Sequence, residues 1–233
     1  MDFIAGEILP FDKPYEWTSF GLVARVRWLL SQKLGQKVKV GHAGTLDPLA
    51  TGVLLLCTGR ATKRIEELQN HSKEYIATLK LGATTASFDM EHPEDATYPT
   101  DHITRQNVEE VLSTFVGTIR QEPPVYSACK IGGTRAYHLA RRGKEVNLKP
   151  KTLTIEQIQL LDYNMPHITL RIECSKGTYI RALARDIGTA LHSGAYLTSL
   201  RRTRVGHYTA DQCLQLDTFP QWLESVDINL SNS

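Results

Sequence analysis

The chain lacks long hydrophobic segments and paired cysteines, and both absences exclude classes of protein. None of its 233 residues belong to an apolar stretch that approaches the roughly 18 residues of a membrane-spanning helix. Residues 1–4 lack the cationic start and apolar run of a signal peptide. The four cysteines are scattered without a C-x-x-C pair, which argues against a zinc ribbon or a disulfide framework and indicates a reducing compartment. We therefore expect a cytoplasmic protein that does not contact a membrane.

Signatures of several enzyme classes are also missing. The sequence contains no G-x-x-x-x-G-K-[ST] and no G-x-G-x-x-G that opens a helix, so nothing supports a nucleotide cofactor. No serine lies in a G-x-S-x-G elbow. The eight histidines never fall at metal-ligand spacing with another histidine or a cysteine, and we expect no metal site.

What the chain does contain is enough apolar material for a core, arranged in mixed elements. With 41% hydrophobic residues, it is predicted to fold as a single globular domain. Apolar spacing and capping residues predict helices over residues 18–35, 60–70, 104–116 and 179–191. Alternating apolar residues predict strands over residues 53–57, 73–81 and 168–174. Because these elements follow no regular βαβ order, the expected fold class is α+β.

Charge is segregated along the chain. Residues 129–207 carry 14 Lys and Arg against 5 Asp and Glu, a net charge of +9, whereas the remainder has a net charge of −7. Eight carboxylates lie between Ser87 and Glu122, where we expect a solvated acidic face. Such segregation is typical of a protein that binds a polyanion, although chance clustering on a soluble surface is the alternative.

The segment 125–151 has the composition of an inserted nucleic-acid contact. It is glycine-punctuated and cationic, and it carries Tyr126 and Tyr137 among its basic residues. Basic side chains can bind phosphates while aromatic rings stack on bases. An exposed helical hairpin over residues 134–143 explains the same composition, and the sequence does not separate the two.

One carboxylate, Asp47, lies in the otherwise apolar, glycine-broken run 41–54. A charge in such a setting is costly to desolvate unless cations or donors surround it, and it usually serves a function. The alternative is that Asp47 starts an ordinary turn before Pro48. A second segment, 174–181, ends a strand, turns at Gly177 and presents Tyr179 and Arg181 near a helix start. Arg181 could pair with Asp47. Spacing alone favours the alternative, a surface residue of the helix.

Together these segments resemble the TruB family of tRNA pseudouridine synthases over nearly the whole chain. The resemblance rests on blocks that occur in the family's order: Phe11–Pro14 with Thr18-Ser19, Gly41–Pro48, Lys73–Tyr75, Gln121–Lys130, Cys174–Arg181 and Leu200–Arg202. It implies a pseudouridine synthase fold, with a mostly antiparallel sheet flanked by helices, a catalytic cleft and an inserted thumb loop. The thumb corresponds to residues 125–151.

The resemblance implies a cofactor-free isomerase that converts the uridine at position 55 in the T-loop of tRNA to pseudouridine. Asp47 matches the catalytic aspartate, which acts either as nucleophile at C1′ or as base toward the 2′ position. Because hydrolysis of glycosides normally uses two carboxylates, a single one fits an isomerisation that excludes water. The implied partner is the tRNA T-arm, and we expect a monomer. A non-catalytic RNA-binding or tRNA-folding module and a synthase for T-arm-like mRNA loops are the alternatives.

The same match assigns roles to further residues. Tyr75 matches the tyrosine that stacks on the flipped uracil, and His42 the residue that fills the vacated space. Tyr179 and Leu200 match positions that line the uracil pocket, Arg181 the partner of the aspartate, and Lys130 a position in the RNA-binding set.

Two departures from the family pattern stand out. Glu16 replaces the glycine that usually follows the Lys-Pro motif, so the turn after Pro14 is expected to differ. Only 26 residues follow His207, too few for the C-terminal PUA domain of many bacterial members.

Overall fold

The computed structural model describes residues 1–126, 130–131, 134–135 and 148–229, which form two compact units. The first contains Met1–Glu74 and the described residues from Arg201 onward, and the second contains Tyr75–Leu200. The assignment of the whole chain to a single domain stays a prediction. Among the described helices, none combines the length and apolar character needed to cross a bilayer.

The first unit is a sheet with helices packed on it. Its elements are β1 (Ile8–Lys13), α1 (Ser19–Leu34), β2 (Val40–Ala43), β3 (Ala50–Thr58), a 3₁₀ helix (Gly59–Arg64), α2 (Ile65–Gln69), β13 (Tyr208–Thr209), a 3₁₀ turn (Ala210–Gln212), β14 (Leu214–Gln215) and α5 (Phe219–Ser225). Strands β4 (Lys73–Leu81) and β12 (Ala195–Val205) contribute residues to both units. The strand order in this unit is β14-β1-β3-β12, with β2 paired to β3 and β13 to β12.

Strand β3 and helix α1 form as their sequences predict. Leu54, Leu55 and Leu56 are all 0% exposed, and since successive side chains point to opposite faces, both faces of β3 are covered here. The Thr18 side chain accepts a hydrogen bond from the Gly21 N–H and caps α1, and Gly35 ends it in the left-handed conformation. The helix predicted over residues 60–70 is instead a 3₁₀ helix followed by α2.

The second unit continues the mixed composition. Its remaining elements are β5 (Ala83–Thr85), β6 (Glu94–Thr97), α3 (Arg105–Thr114), β7 (Gly117–Gln121), β8 (Lys130–Ile131), β9 (Thr134–Arg135), β10 (Lys151–Asn164), β11 (His167–Cys174) and α4 (Ile180–Ala190). Its main strand order is β12-β4-β11-β10-β7, while β5 pairs with β6 and β8 with β9.

The predicted elements of this unit are confirmed, with one shift. Alternate residues of β4 and β11 are buried, as the sequence alternation indicates. Thr104 caps α3 through a capping box with Asn107. The helix ends at Thr114, two residues before the predicted end, and Gly117, with φ of 103°, begins β7. Mostly antiparallel pairing with flanking helices confirms the α+β class.

Candidate active site

Asp47 lies in the loop between β2 and β3, and the loop backbone is held from several sides. The Ala50 N–H donates to the Asp47 carbonyl at 3.1 Å, which closes the turn predicted at Pro48. Next to it, Ser19 Oγ donates to the Leu46 carbonyl and accepts from the Leu46 N–H, both at 2.9 Å and in a buried setting. The first residue of α1 therefore fixes the backbone immediately before Asp47.

Arg202 ties the start of this loop to strand β3. Its side chain is buried, and Nε donates to the Val53 carbonyl at 2.7 Å while Nη2 donates to the Gly44 carbonyl at 3.1 Å. Gly52 has a φ of 103°, and a Cβ there would lie 2.1 Å from the Arg202 carbonyl oxygen. Only glycine allows this close approach of the two backbones. The sequence named Arg202 as part of a family block but did not assign this contact.

Lys13 is a buried cation beside the same loop. Its Nζ donates to the carbonyls of Pro14, Trp17 and Pro48 at 2.8, 2.6 and 3.2 Å. Burial lowers the pKa of Lys13 to about 8, and the nearby charge of Asp47 opposes this shift. The ammonium form still predominates at neutral pH, so Lys13 supplies positive charge near Asp47.

The turn after Pro14 keeps a glycine-type conformation although Glu16 occupies it. Glu16 has a φ of 65°, in the left-handed region that favours glycine, and its N–H donates to the Pro48 carbonyl at 2.9 Å. The expected difference from the turn of other family members stays a prediction. The hydrogen bond to the Asp47 loop maintains a backbone conformation that the side chain disfavours.

His42 belongs to β2, where it is half-buried and lies opposite Leu56 of β3. It lies five residues before Asp47 and in the same unit. Its predicted role in filling the space left by the base stays a prediction.

Arg181 is the centre of a buried polar cluster in the second unit. It is 4% exposed, which rules out the surface alternative. Nη1 donates to the Ser87 carbonyl at 3.0 Å, Nη2 donates to the Tyr126 carbonyl at 2.9 Å, and Nε lies 3.6 Å from Asp89 Oδ2. Because Asp47 is in the first unit, its pairing with Arg181 stays a prediction.

Asp89 is a buried partner of Arg181 that the sequence did not reveal. The prediction of a solvated acidic face holds for seven of the eight carboxylates between Ser87 and Glu122, but Asp89 is only 5% exposed. Its Oδ1 accepts from Ser87 Oγ at 2.5 Å and from the Glu91 N–H at 3.0 Å. The signal available in the sequence was the position of Asp89 next to the apolar Phe88 and Met90.

Tyr179 is positioned through its backbone. Its N–H donates to Gln121 Oε1 at 2.9 Å, and its carbonyl accepts from Gln121 Nε2 at 3.1 Å. Gln121 is buried at the end of β7, so this reciprocal pair fixes the start of α4. The Lys151 ammonium lies 5.9 Å from the centroid of the Tyr179 ring.

The structure shows where Tyr75, Leu200 and Lys130 lie, and their roles stay predictions. Tyr75 is buried at the start of the second unit on β4, and Leu200 is half-buried on β12 at the end of the same unit. Lys130 pairs with Arg135 through the β8–β9 backbone. Most of the predicted thumb, residues 127–129, 132–133 and 136–147, lies outside the described residues.

The first unit therefore brings Asp47, Lys13, Ser19 and Arg202 together, and the second joins Arg181 to Asp89. The fixed loop can present one carboxylate beside a cation without rearranging, as preorganised catalysis requires. Within the described ranges, no three His, Cys, Asp or Glu side chains form a group that could hold a metal ion.

Comparison with known proteins identifies the family. The TruB family pseudouridylate synthase N-terminal domain matches residues 28–180, and the tRNA pseudouridylate synthase B C-terminal domain matches residues 181–229. Proteins named tRNA pseudouridine synthase B are similar over the whole length. The one from Phocaeicola vulgatus is 63% identical over 98% of this chain and 97% of its own. The one from Bacteroides fragilis is 60% identical over 100% of both.

Solved structures agree with this result. A chain of the Cbf5-Nop10-Gar1 complex is 28% identical, with a TM-score of 0.72 over 97% of this chain. A chain of an H/ACA RNP bound to a substrate RNA containing 2′-deoxyuridine is 26% identical, with a TM-score of 0.68 over 97% of this chain. This chain spans 58% and 57% of the lengths of those two chains. The two matches, which together span residues 28–229, place this chain in the TruB family of pseudouridylate synthases.

Proposed function

We propose that this protein converts the uridine at position 55 in the T-loop of tRNA to pseudouridine, with Asp47 as the catalytic carboxylate. The observation that carries the proposal is the Asp47 loop, whose backbone is fixed by Ser19, Arg202 and Lys13 in a member of this family. Relatives of 60% identity or more carry the name tRNA pseudouridine synthase B, which supports tRNA as the substrate.

The reaction rearranges bonds without a redox step. The C1′–N1 glycosidic bond breaks, the uracil turns, and C5 bonds to C1′ in its place. The hydrogen on C5 is lost to a base, and N1 gains a proton, so the atoms balance without a co-reactant. Asp47 acts as nucleophile at C1′ or as base toward the 2′ position. In either role Asp47 reacts as a carboxylate, and the charge of the Lys13 ammonium interacts with it.

The target uridine must leave its stack before the bond can break. Extrusion of a base costs a few kcal/mol, and the enzyme must offset this with contacts to the flipped base. We assign stacking on the uracil to Tyr75 and the lining of its pocket to Tyr179 and Leu200. His42 fills the vacated space, and Arg181 holds Asp47.

The basic segment 125–151, with Lys130, is proposed to bind the backbone of the T-arm. Phosphate contacts by this segment require that affinity fall steeply with added salt. We also propose that the protein acts in the cytoplasm as a monomer.

The test is incubation of the purified protein with unmodified tRNA, followed by carbodiimide primer extension to map pseudouridine. The wild-type protein should modify the T-loop position, and Asp47→Asn should bind tRNA and unfold at the same temperature but form no product. Turnover of a T-arm hairpin is compared with turnover of hairpins that carry unrelated loops, which tests whether the T-arm is the substrate. Binding without conversion would instead support the RNA-binding alternative, and product from Asp47→Asn would remove Asp47 from its role.

A further inference from the structure

Exposed aromatic side chains are concentrated around the first helix. In the described part of the chain, ten large hydrophobic residues are exposed, and four of them lie within 14 residues of sequence. We call these four the aromatic face: Tyr15 (51% exposed), Trp17 (37%), Phe20 (69%) and Trp28 (52%). Scattered exposed apolar residues are ordinary, whereas a contiguous group marks an interaction surface.

The aromatic face is not part of the core. Helix α1 packs its other side inward, through Ser19, Leu22, Val23, Val26 and Leu30. Phe20, Ala24 and Trp28 follow one another at intervals of four residues, so they share one side of the helix. A surface helix normally carries polar residues there.

Two contacts hold the rings in place. The guanidinium carbon of Arg25 lies 4.9 Å from the centroid of the Trp28 ring, within cation–π distance. At the helix start, a Cβ on Gly21 would lie 3.7 Å from Cε3 of Trp17, so this ring lies against the first turn. The rings are therefore partly preorganised for a ligand.

The charge around the aromatic face is positive. Between Tyr15 and Lys39 the sequence has five Lys and Arg and a single acid, Glu16. One of the five, Lys33, is paired with Glu224. Arg25 and Arg27 are exposed on α1 itself, and the helix contains no acidic residue. Aromatic rings among cations suit unpaired nucleotides, whose bases stack while their phosphates contact the cations.

The aromatic face also begins at the Asp47 loop. Lys13 donates to the Trp17 carbonyl and to the Pro48 carbonyl, and Ser19 is hydrogen-bonded to Leu46. An RNA strand whose target nucleotide lies at Asp47 would therefore reach the aromatic face within the same unit of the protein. This continuity favours the RNA substrate as the occupant.

We propose that the aromatic face binds unpaired nucleotides of the tRNA substrate next to the target uridine. Bases stack on Phe20 and Trp28, and Arg27 contacts phosphate. The inference rests on the proposed function. A second copy of the chain is disfavoured, because a two-fold contact would bring Arg25 and Arg27 of both copies together.

The test compares Phe20→Ser/Trp28→Gln with Met90→Gln/Leu161→Gln, a control that removes two similarly exposed apolar side chains from the second unit. For unmodified tRNA, the first double variant should raise Kd and KM by about 10-fold or more, in line with base–aromatic stacking. Its kcat at saturating tRNA should stay within about 2-fold of wild type, because the face lies outside the chemistry. Phe20→Tyr/Trp28→Tyr should keep wild-type affinity, because its rings still stack.

Unchanged Kd and KM in the Ser/Gln variant would overturn the proposal. So would a wild-type dimer, seen by sedimentation, that the variant loses without a change in Kd, since the face would then serve self-association. If the wild type binds tRNA but forms no pseudouridine, the proposed function fails. The Kd comparison would still decide what the aromatic face binds.

Discussion

Replacing Arg202 with lysine tests whether the Asp47 loop is held from the sheet. Lysine keeps the positive charge but cannot reach the Val53 and Gly44 carbonyls together, which Nε and Nη2 of Arg202 now contact at 2.7 and 3.1 Å. At most one of these buried hydrogen bonds survives. The loop should therefore detach at one end.

The expected cost follows from the number of hydrogen bonds lost. A hydrogen bond from a charged group contributes about 1.5–3 kcal/mol, and a buried carbonyl left without a donor costs a similar amount. Arg202→Lys should therefore lower the free energy of unfolding by about 2–4 kcal/mol. For a chain of this length the midpoint of thermal unfolding should fall by roughly 5–15 °C.

The neighbouring arginine provides a matched control. Arg201 makes a two-pronged contact with Asp12 at 3.0 and 2.7 Å, but its side chain is 40% exposed. Exposed ion pairs contribute little, so Arg201→Lys should change stability by less than about 1 kcal/mol.

Activity separates the two variants further. Misplacement of a reacting group by about 1 Å can cost roughly 100-fold in rate, so single-turnover pseudouridine formation by Arg202→Lys should fall by about 10- to 100-fold. Both variants should bind tRNA as the wild type does. If Arg201→Lys and Arg202→Lys have equal stability and equal single-turnover rates, Arg202 does not hold the Asp47 loop in place.

Three further predictions concern Glu16, Lys13 and Asp89. Glu16→Gly should raise the free energy of unfolding by about 1 kcal/mol, measured by thermal melts, because glycine relieves the left-handed backbone and this gain exceeds its entropic cost. Because burial lowers the pKa of Lys13 to about 8, the unfolded chain binds more protons than the folded chain above that pH. The free energy of unfolding should thus rise by up to about 3 kcal/mol from pH 8 to 10.5, relative to Lys13→Met in denaturant titrations. Asp89→Asn should destabilise the protein by about 2–3 kcal/mol in urea unfolding, because it removes a buried carboxylate beside Arg181.

Each of these has a clear contrary result. Glu16→Gln retains the Cβ and should leave the free energy of unfolding unchanged. If this variant is also more stable than the wild type, the loss of charge and not the backbone conformation explains the gain in Glu16→Gly. If the free energy of unfolding changes with pH in the same way for the wild type and for Lys13→Met, the pKa of Lys13 is not lowered. An Asp89→Asn variant as stable as the wild type would mean that the carbonyls of Ser87 and Tyr126 suffice for Arg181.

Local signals in the sequence predicted the elements that local contacts determine. Thr18 and Gly35 bound α1 because a side-chain cap and a left-handed glycine act within one turn. The alternation in residues 73–81 predicted β4 because one face of that strand is buried and the other is not. Asp47 was identified because its charge contrasts with the apolar residues on both sides.

The groups that hold the site depend on contacts between distant residues. Arg202 lies 149 residues from Val53, and no pattern around either residue indicates their hydrogen bond. Adjacent arginines at 201 and 202 look alike in sequence, yet one is half-exposed and the other buried. Asp89 was grouped with exposed acids because burial of a carboxylate depends on the partner that the fold brings to it, here Arg181.

Pseudouridine formation on unmodified tRNA by the wild-type protein and by Asp47→Asn shows whether Asp47 carries out the proposed reaction. Both proteins should bind the tRNA equally and unfold at the same temperature. We expect one pseudouridine per tRNA, in the T-loop, for the wild type and none for Asp47→Asn. Pseudouridine formed by Asp47→Asn at a wild-type rate would contradict the catalytic role of Asp47. A folded wild type that binds tRNA without modifying it would contradict the proposed activity.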